Sequence, residues 1–295
     1  MNLPKSVTLI EVGPRDGFQF EKKQIPLELK LEIISGLADS GLKHIQVASF
    51  VHPKRMPQMA DAEELISRLP QKKGVIFSGL VLNRKGVERA GEAGLKHIEV
   101  SISASGTHSR KNSGMSLEQA IEQGKEMIRL ARNYQMTVRA GIQCAFGCVY
   151  DGEIPTERVL KIAGDFIETG ADRLCLADTT GMADPLSIKR ILNGLQTPLI
   201  PVILHLHDTR GLGLVNLMAA MECGITHFDT ALAGMGGCPF VIGAAGNIAT
   251  EDTAYLLKRL NIETGIDISK VAACSIQLEK FFGKPFSGKI YRIKK

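Results

Sequence analysis

Apolar strand-like runs alternate with amphipathic helical stretches eight times along this chain, and that alternation constrains its fold more than any other feature. Strands read at 7–13, 44–49, 74–81, 97–103, 137–145, 173–178, 200–208 and 227–233. Helices follow at about 26–39, 61–69, 83–93, 116–134, 155–169, 185–196, 213–223 and 251–260. In the stretch 116–134, Leu117, Ala120, Ile121, Gly124, Ile128 and Ala131 share one helical face, with charges opposite. The joints repeat too: Gly41, Gly94, Gly170 and Gly224 each stand between a helix and the next strand, where left-handed backbone stops the helix. Such alternation requires a parallel sheet, because parallel neighbours need a crossover between them. Eight units within about 255 residues predict a closed (β/α)₈ TIM barrel. An open doubly wound sheet is the alternative, but no GxGxxG follows the first strand.

The expected organisation is a barrel over 1–265 and a short C-terminal helical extension over 266–295 packed on it. The extension reads as a helix at 267–283 and a basic tail, Lys284 to Lys295, forming a solvated end or a lip over the substrate. The formal charge of +5 suits anionic small molecules. No basic run is interleaved with aromatics and there is no Trp, so no nucleic-acid partner is expected. Six cysteines without disulfide-framework spacing indicate a reducing compartment. No signal peptide is read at Met1-Asn2-Leu3-Pro4-Lys5, and no apolar stretch approaches the ~18 residues of a membrane span, so a cytoplasmic location and no membrane contact are expected.

In barrels of this kind, chemistry gathers at the C-terminal ends of the strands. His44, His97 and His227 lie at strand beginnings and read as structural. The opposite ends carry Gly13-Pro14-Arg15-Asp16-Gly17, Asp178-Thr179-Thr180-Gly181, His205-Leu206-His207-Asp208, and a glycine-rich run from Gly234 through Cys238 to Asn247. His205 and His207 stand two apart on a strand, so both imidazoles project to one side. A dry strand does not hold two polar rings unless something satisfies their nitrogens: a metal, or a tight hydrogen-bond cluster.

Asp16, His205 and His207 supply one carboxylate and two imidazoles, and Asn247 adds an amide oxygen. That mixed set suits catalytic Mg²⁺ or Mn²⁺ better than a closed zinc cage. Asp178 either orients a ligating histidine or caps its own turn through Thr179. Arg15 either stabilises a developing oxyanion or pairs with Asp16. Cys238, in a glycine-rich loop, suits proton transfer.

Taken with Ser49-Phe50-Val51-His52-Pro53-Lys54, these motifs resemble the 3-hydroxy-3-methylglutaryl-CoA (HMG-CoA) lyase family, within a larger group of metal-dependent barrel lyases and Claisen synthases sharing an Arg-Asp motif on strand 1. The similarity runs from about residue 7 to 280 and is most specific around Cys238. It implies a divalent cation on Asp16, His205, His207 and Asn247, Arg15 as the enolate-stabilising residue, and Cys238 as a catalytic thiol on a closing loop. His205 is a further catalytic candidate, with the base open between it and a metal-bound water. Gln46, Ser49, His108 and Asp178 are expected around the metal or substrate.

Two positions depart from the resemblance. Gln46 stands where the family usually carries Glu, replacing a carboxylate by an amide that cannot act as a base. His108, after strand 4, is a feature shared with the Claisen synthases, or else an ordinary loop residue.

The implied reaction is a retro-Claisen cleavage of HMG-CoA to acetyl-CoA and acetoacetate, a step of leucine degradation, by a homodimer. A citramalyl-CoA lyase is the first alternative and an acetyl-CoA-dependent synthase the second, although only about 30 residues follow the barrel where such synthases commonly carry a regulatory region. A metal-dependent hydrolase normally carries its His-x-His on strand 1, whereas this pair lies on strand 7. A non-catalytic acyl-CoA-binding barrel is the remaining alternative.

Overall fold

A computed structural model describes residues 3–195, 200–237 and 245–293. Its centre is a closed parallel barrel, β1 (Thr8–Glu11), β2 (His44–Ser49), β3 (Ile76–Val81), β4 (His97–Ser103), β5 (Thr137–Gln143), β6 (Arg173–Ala177), β7 (Val202–His205) and β8 (His227–Thr230), with strand order equal to chain order. β1 closes the ring on β8, with Thr8 opposite His227 and Glu11 opposite Thr230.

Around it lie α1 (Leu27–Asp39), α2 (Ala62–Ser67), α3 (Arg84–Glu92), α4 (Gly106–Ser113), α5 (Leu117–Asn133), α6 (Thr156–Thr169), α7 (Pro185–Gly194), α8 (Gly213–Glu222), α9 (Thr250–Arg259), α10 (Ile268–Phe282) and α11 (Ile290–Ile293). The expected (β/α)₈ architecture is therefore present. The predicted face of α5 is the packed one: Ala120, Gly124, Ile128 and Ala131 are buried and Ser116 caps the N-terminus in a capping box. At the first joint Gly41 has φ +99°, and a Cβ there would lie 2.2 Å from the Gly265 carbonyl oxygen, so only glycine fits.

The differences from the periodicity reading lie at the strand ends. β1 stops at Glu11, and Gly13–Gly17 forms a buried π-helical turn instead of an open loop. β7 stops at His205, with His207 beyond it in an isolated bridge to Asn247, and β8 gives way to a 3₁₀ turn at Leu232–Gly234. Helix α4, read as loop, is capped by Ser105 and Gly114. Among the described residues no helix is long and apolar enough to cross a membrane.

The C-terminal segment is not a solvated end. α10 packs on α1 and α9, and Asp252 on α9 accepts the amides of Lys289 and Ile290 at 2.9 and 2.7 Å. Tyr291 is fully buried, its hydroxyl accepting the Phe286 amide at 3.0 Å. Phe286 and Tyr291 anchor the basic segment in the fold.

Candidate metal centre and cavity

The turn at Gly13–Gly17 carries Arg15 and Asp16 over the top of the barrel beside the end of β7. Asp16, His205 and His207 there offer ligand atoms that all lie within 4.8 Å of one another, and all three residues are buried. The two imidazoles meet Nε2 to Nε2 at 3.1 Å. Asn247 donates its amide nitrogen to Asp16 Oδ2 at 2.7 Å and to the Met235 carbonyl at 3.0 Å. Its Oδ1, like His207 Nδ1, is buried without a partner among the described residues.

This geometry fits a divalent cation. Cis ligands at about 2.1 Å in an octahedral shell are about 3 Å apart, the separation of the two Nε2 atoms. His207 can present a lone pair, because burial, and then the neighbouring His205, push it down to about 3 and keep it neutral. Burial opposes ionisation of Asp16, yet Arg15, the two histidines and the Asn247 hydrogen bond outweigh it and hold the carboxyl below its ordinary range. A carboxylate, two imidazoles and an unsatisfied amide oxygen form a cation-binding donor set.

Residues that the sequence did not single out support these ligands. His205 Nδ1 lies 3.0 Å from Asp229 Oδ2, and Arg139 grips both Asp229 oxygens from inside the barrel, at 2.8 Å on Oδ1. Burial opposes charge on Asp229 too, but Arg139 and His205 overcome it and hold the carboxyl far below the usual range. An ionised Asp229 only accepts, so His205 carries its proton on Nδ1 and turns the Nε2 lone pair toward Asp16 and His207. Orienting the histidine is thus the work of Asp229, and of the two readings of Asp178 the capping one is observed. Asp178 caps its turn, taking the amides of Met182 and Ala183 at 2.7 and 3.0 Å, and burial pushes it up to about 6. The partner expected for that cap, Thr179, uses its hydroxyl to accept the Cys144 amide.

Of the two readings of Arg15, the structure shows the pairing with Asp16. The pair closes through Nη1 at 2.6 Å, and Arg15 Nε donates to Gln46 Oε1, so the guanidinium plane is fixed while lining the cavity. Gln46 Nε2 donates to Glu99 Oε2 at 2.8 Å, and Glu99 in turn pairs with Arg139 Nε at 3.3 Å. A single buried network therefore runs from Arg15 through Gln46, Glu99, Arg139, Asp229 and His205 to the metal ligands. The charged members stand on apolar strands, which is the signal that would have found them: Glu99, Arg139 and Asp229 occupy inward positions where a barrel ordinarily places branched apolar side chains.

Arg15, Asp16, Glu99, His205 and His207 line a cavity of about 1050 Å³, also bordered by Ser101, His108 and Gln143. His108, on α4, is buried against it, and burial lowers its imidazole to about 4, so it is neutral there. Ser49 is not brought to this cavity: it is sealed at the end of β2, its hydroxyl without a partner among the described residues. Cys238 lies outside the described residues.

A family model described as HMGL-like matches residues 6–277. A Bacillus subtilis protein named hydroxymethylglutaryl-CoA lyase is 39% identical over 287 residues, 97% of this chain and 96% of that protein. A Pseudomonas aeruginosa protein named 3-hydroxy-3-isohexenylglutaryl-CoA/hydroxymethylglutaryl-CoA lyase is 38% identical, across 96% of this chain and 95% of that one. The crystal structure of a B. subtilis HMG-CoA lyase superposes with a TM-score of 0.96 at 38% identity, covering 99% of both chains.

Proposed function

The chain belongs to the HMGL-like family, and from that premise we propose a metal-dependent carbon–carbon lyase that cleaves HMG-CoA to acetyl-CoA and acetoacetate. The observation that carries this reading is the convergence of Asp16, His205, His207 and Asn247 beside Arg15 in one large cavity.

Asp16, His205, His207 and the Asn247 amide oxygen would hold a Mg²⁺ or Mn²⁺ ion, which supplies Lewis acidity toward the hydroxyl of the substrate. Asp229 fixes the tautomer of His205 and raises its basicity as a ligand. With Nδ1 on Asp229 and Nε2 directed at the other ligands, both nitrogens of His205 are committed, so we assign it as a ligand and not as the base. Once the tertiary hydroxyl gives its proton to a water in the cavity, the C2–C3 bond breaks, C3 becomes the ketone of acetoacetate, and the electron pair passes to C2 as the thioester enolate. Arg15, locked in plane by Gln46 and Asp16, stabilises the charge on the enolate oxygen. A proton then returns to C2, and we assign its delivery to the Cys238 thiol, giving acetyl-CoA. His108 and Asp178 complete the surroundings, as a neutral imidazole on the cavity wall and a cap on the β6 turn. We place this activity in a cytoplasmic homodimer.

Turnover of purified, Mg²⁺-loaded protein with HMG-CoA and with citramalyl-CoA tests the reading. The expected product beside acetyl-CoA is acetoacetate. Pyruvate from citramalyl-CoA with no acetoacetate from HMG-CoA would transfer the assignment to the citramalyl ester, and no acetyl-CoA from either would sink the lyase reading.

A further inference from the structure

The barrel interior is divided by polarity. β1, β6 and β7, with Ala231 just past β8, contribute Ile10, Val12, Cys175, Ile203 and Ala231, a closed apolar cluster. β4 and β5 contribute Glu99, Ser101, Arg139 and Gln143, of which the first three are buried. A polar side chain taken out of water costs free energy unless it is satisfied, and these are held in place. Glu99 accepts from Gln46, and Gln143 Nε2 donates to Ser101 Oγ at 3.1 Å.

Gly141 sits between them in the middle of β5. A Cβ there would come within 2.6 Å of Glu99 Oε1 and 2.8 Å of Ser101 Oγ. Glycine inside a strand weakens it and marks a place of close approach. Here the bare backbone admits the Glu99 and Ser101 oxygens side by side. Glu99, Ser101 and Gln143 line the same cavity as Arg15, His205 and His207.

In an eight-stranded ring, β4 and β5 stand across the axis from β8 and β1. On the lyase reading, which this inference rests on, a cation on Asp16, His205 and His207 at the β1 and β7 ends would take the hydroxyl of the substrate together with an oxygen of its carboxylate. The coenzyme arm must leave by the open side of the cavity, so the remaining branch on C3 points across the axis at β4 and β5. We propose that Glu99, Ser101 and Gln143 form a subsite for that branch, which admits the small methyl group of HMG-CoA and, among longer branches, selects one ending in a hydrogen-bond donor over a hydrocarbon of equal size. A hydroxyl would donate to Glu99 or Ser101, whereas a hydrocarbon would take water from both and return no hydrogen bond. A site built to bond a hydroxyl discriminates strongly against the analogue lacking it. A carboxylate-ended branch meets the charge of Glu99 and is disfavoured.

The test compares two thioesters of the same size, 3-hydroxy-3-(hydroxymethyl)glutaryl-CoA and 3-ethyl-3-hydroxyglutaryl-CoA, with metal-loaded protein. Each is measured by kcat/KM and, independently of turnover, by calorimetric Kd. The hydroxymethyl ester is expected to lead by about 10-fold or more in both, and Ser101→Ala with Gln143→Leu to bring the ratio toward one. Equal or tighter calorimetric binding of the ethyl ester overturns the subsite, whatever the turnover. A retained hydroxymethyl preference in binding with no cleavage of either ester supports the subsite and counts against the lyase reading alone.

Discussion

Asp229 Oδ2 accepts the Nδ1 proton of His205 at 3.0 Å while Arg139 holds both oxygens of the same carboxylate. The orientation of a candidate metal ligand on β7 is therefore set by a buried ion pair between β8 and β5. Asp229→Asn removes the charge that fixes the His205 tautomer. Affinity for Mn²⁺ should fall by about 10- to 100-fold. Removing one partner of a buried pair also lowers stability, by about 3–5 kcal/mol, so calorimetry must be done where circular dichroism shows the variant folded. Unchanged Mn²⁺ affinity in folded protein would show that Asp229 serves Arg139 alone.

Arg15→Gln separates enolate stabilisation from metal binding. Its kcat should fall by roughly 10²-fold or more while Mn²⁺ affinity stays within a few-fold. Since Arg15 also touches Asp16, a matching loss of metal affinity would reduce it to a support for that ligand.

Gln46→Glu should be harmful by itself. The Gln46 Nε2 that donates to Glu99 Oε2 at 2.8 Å would become a second carboxylate oxygen. Two carboxylates at that distance share a proton, which raises the pKa of the pair. The variant should keep activity at acid pH and lose it as pH rises through that raised value, when both groups ionise and repel. Adding Glu99→Gln removes the repulsion and should restore the ordinary profile. An unaltered pH profile in Gln46→Glu would show that the two side chains are not coupled.

The strand–helix order was legible because periodicity is local, and the histidine pair because an i, i+2 spacing on a strand fixes its geometry without further information. The network behind the pair was not legible. Glu99, Arg139 and Asp229 each stand alone in apolar strands, and the Arg139–Asp229 contact joins residues 90 apart in sequence. Nor does periodicity reveal a single π-helical turn, so Asp16 could be placed at the end of β1 but not aimed. The buried Tyr291 was masked by the lysines around it.

Two buried carboxylates against the turn after β8 predict a pH dependence of stability. Burial pushes Glu11 up to about 8 and Glu251 up to about 7. Both accept backbone amides of the turn after β8, Glu11 from Leu232 and Glu251 from Ala233. The folded chain therefore retains protons that the unfolded chain releases near the ordinary value of 4.5. Their contribution is complete below that pH and is lost as pH rises through 7 and 8. Tm should decline between pH 5 and 9, and Glu11→Gln should flatten the decline. A steeper alkaline loss in the variant would contradict the assignment.

Metal-dependent cleavage is the central claim, and stoichiometric product analysis after chelation reaches it most directly. Protein stripped with EDTA and given HMG-CoA should release no acetyl-CoA. Addition of Mg²⁺ or Mn²⁺ should restore equimolar acetyl-CoA and acetoacetate, with His207→Ala failing to recover at the same metal concentration. Cleavage that persists in the stripped protein, or metal-loaded wild type that releases neither product, would contradict the account.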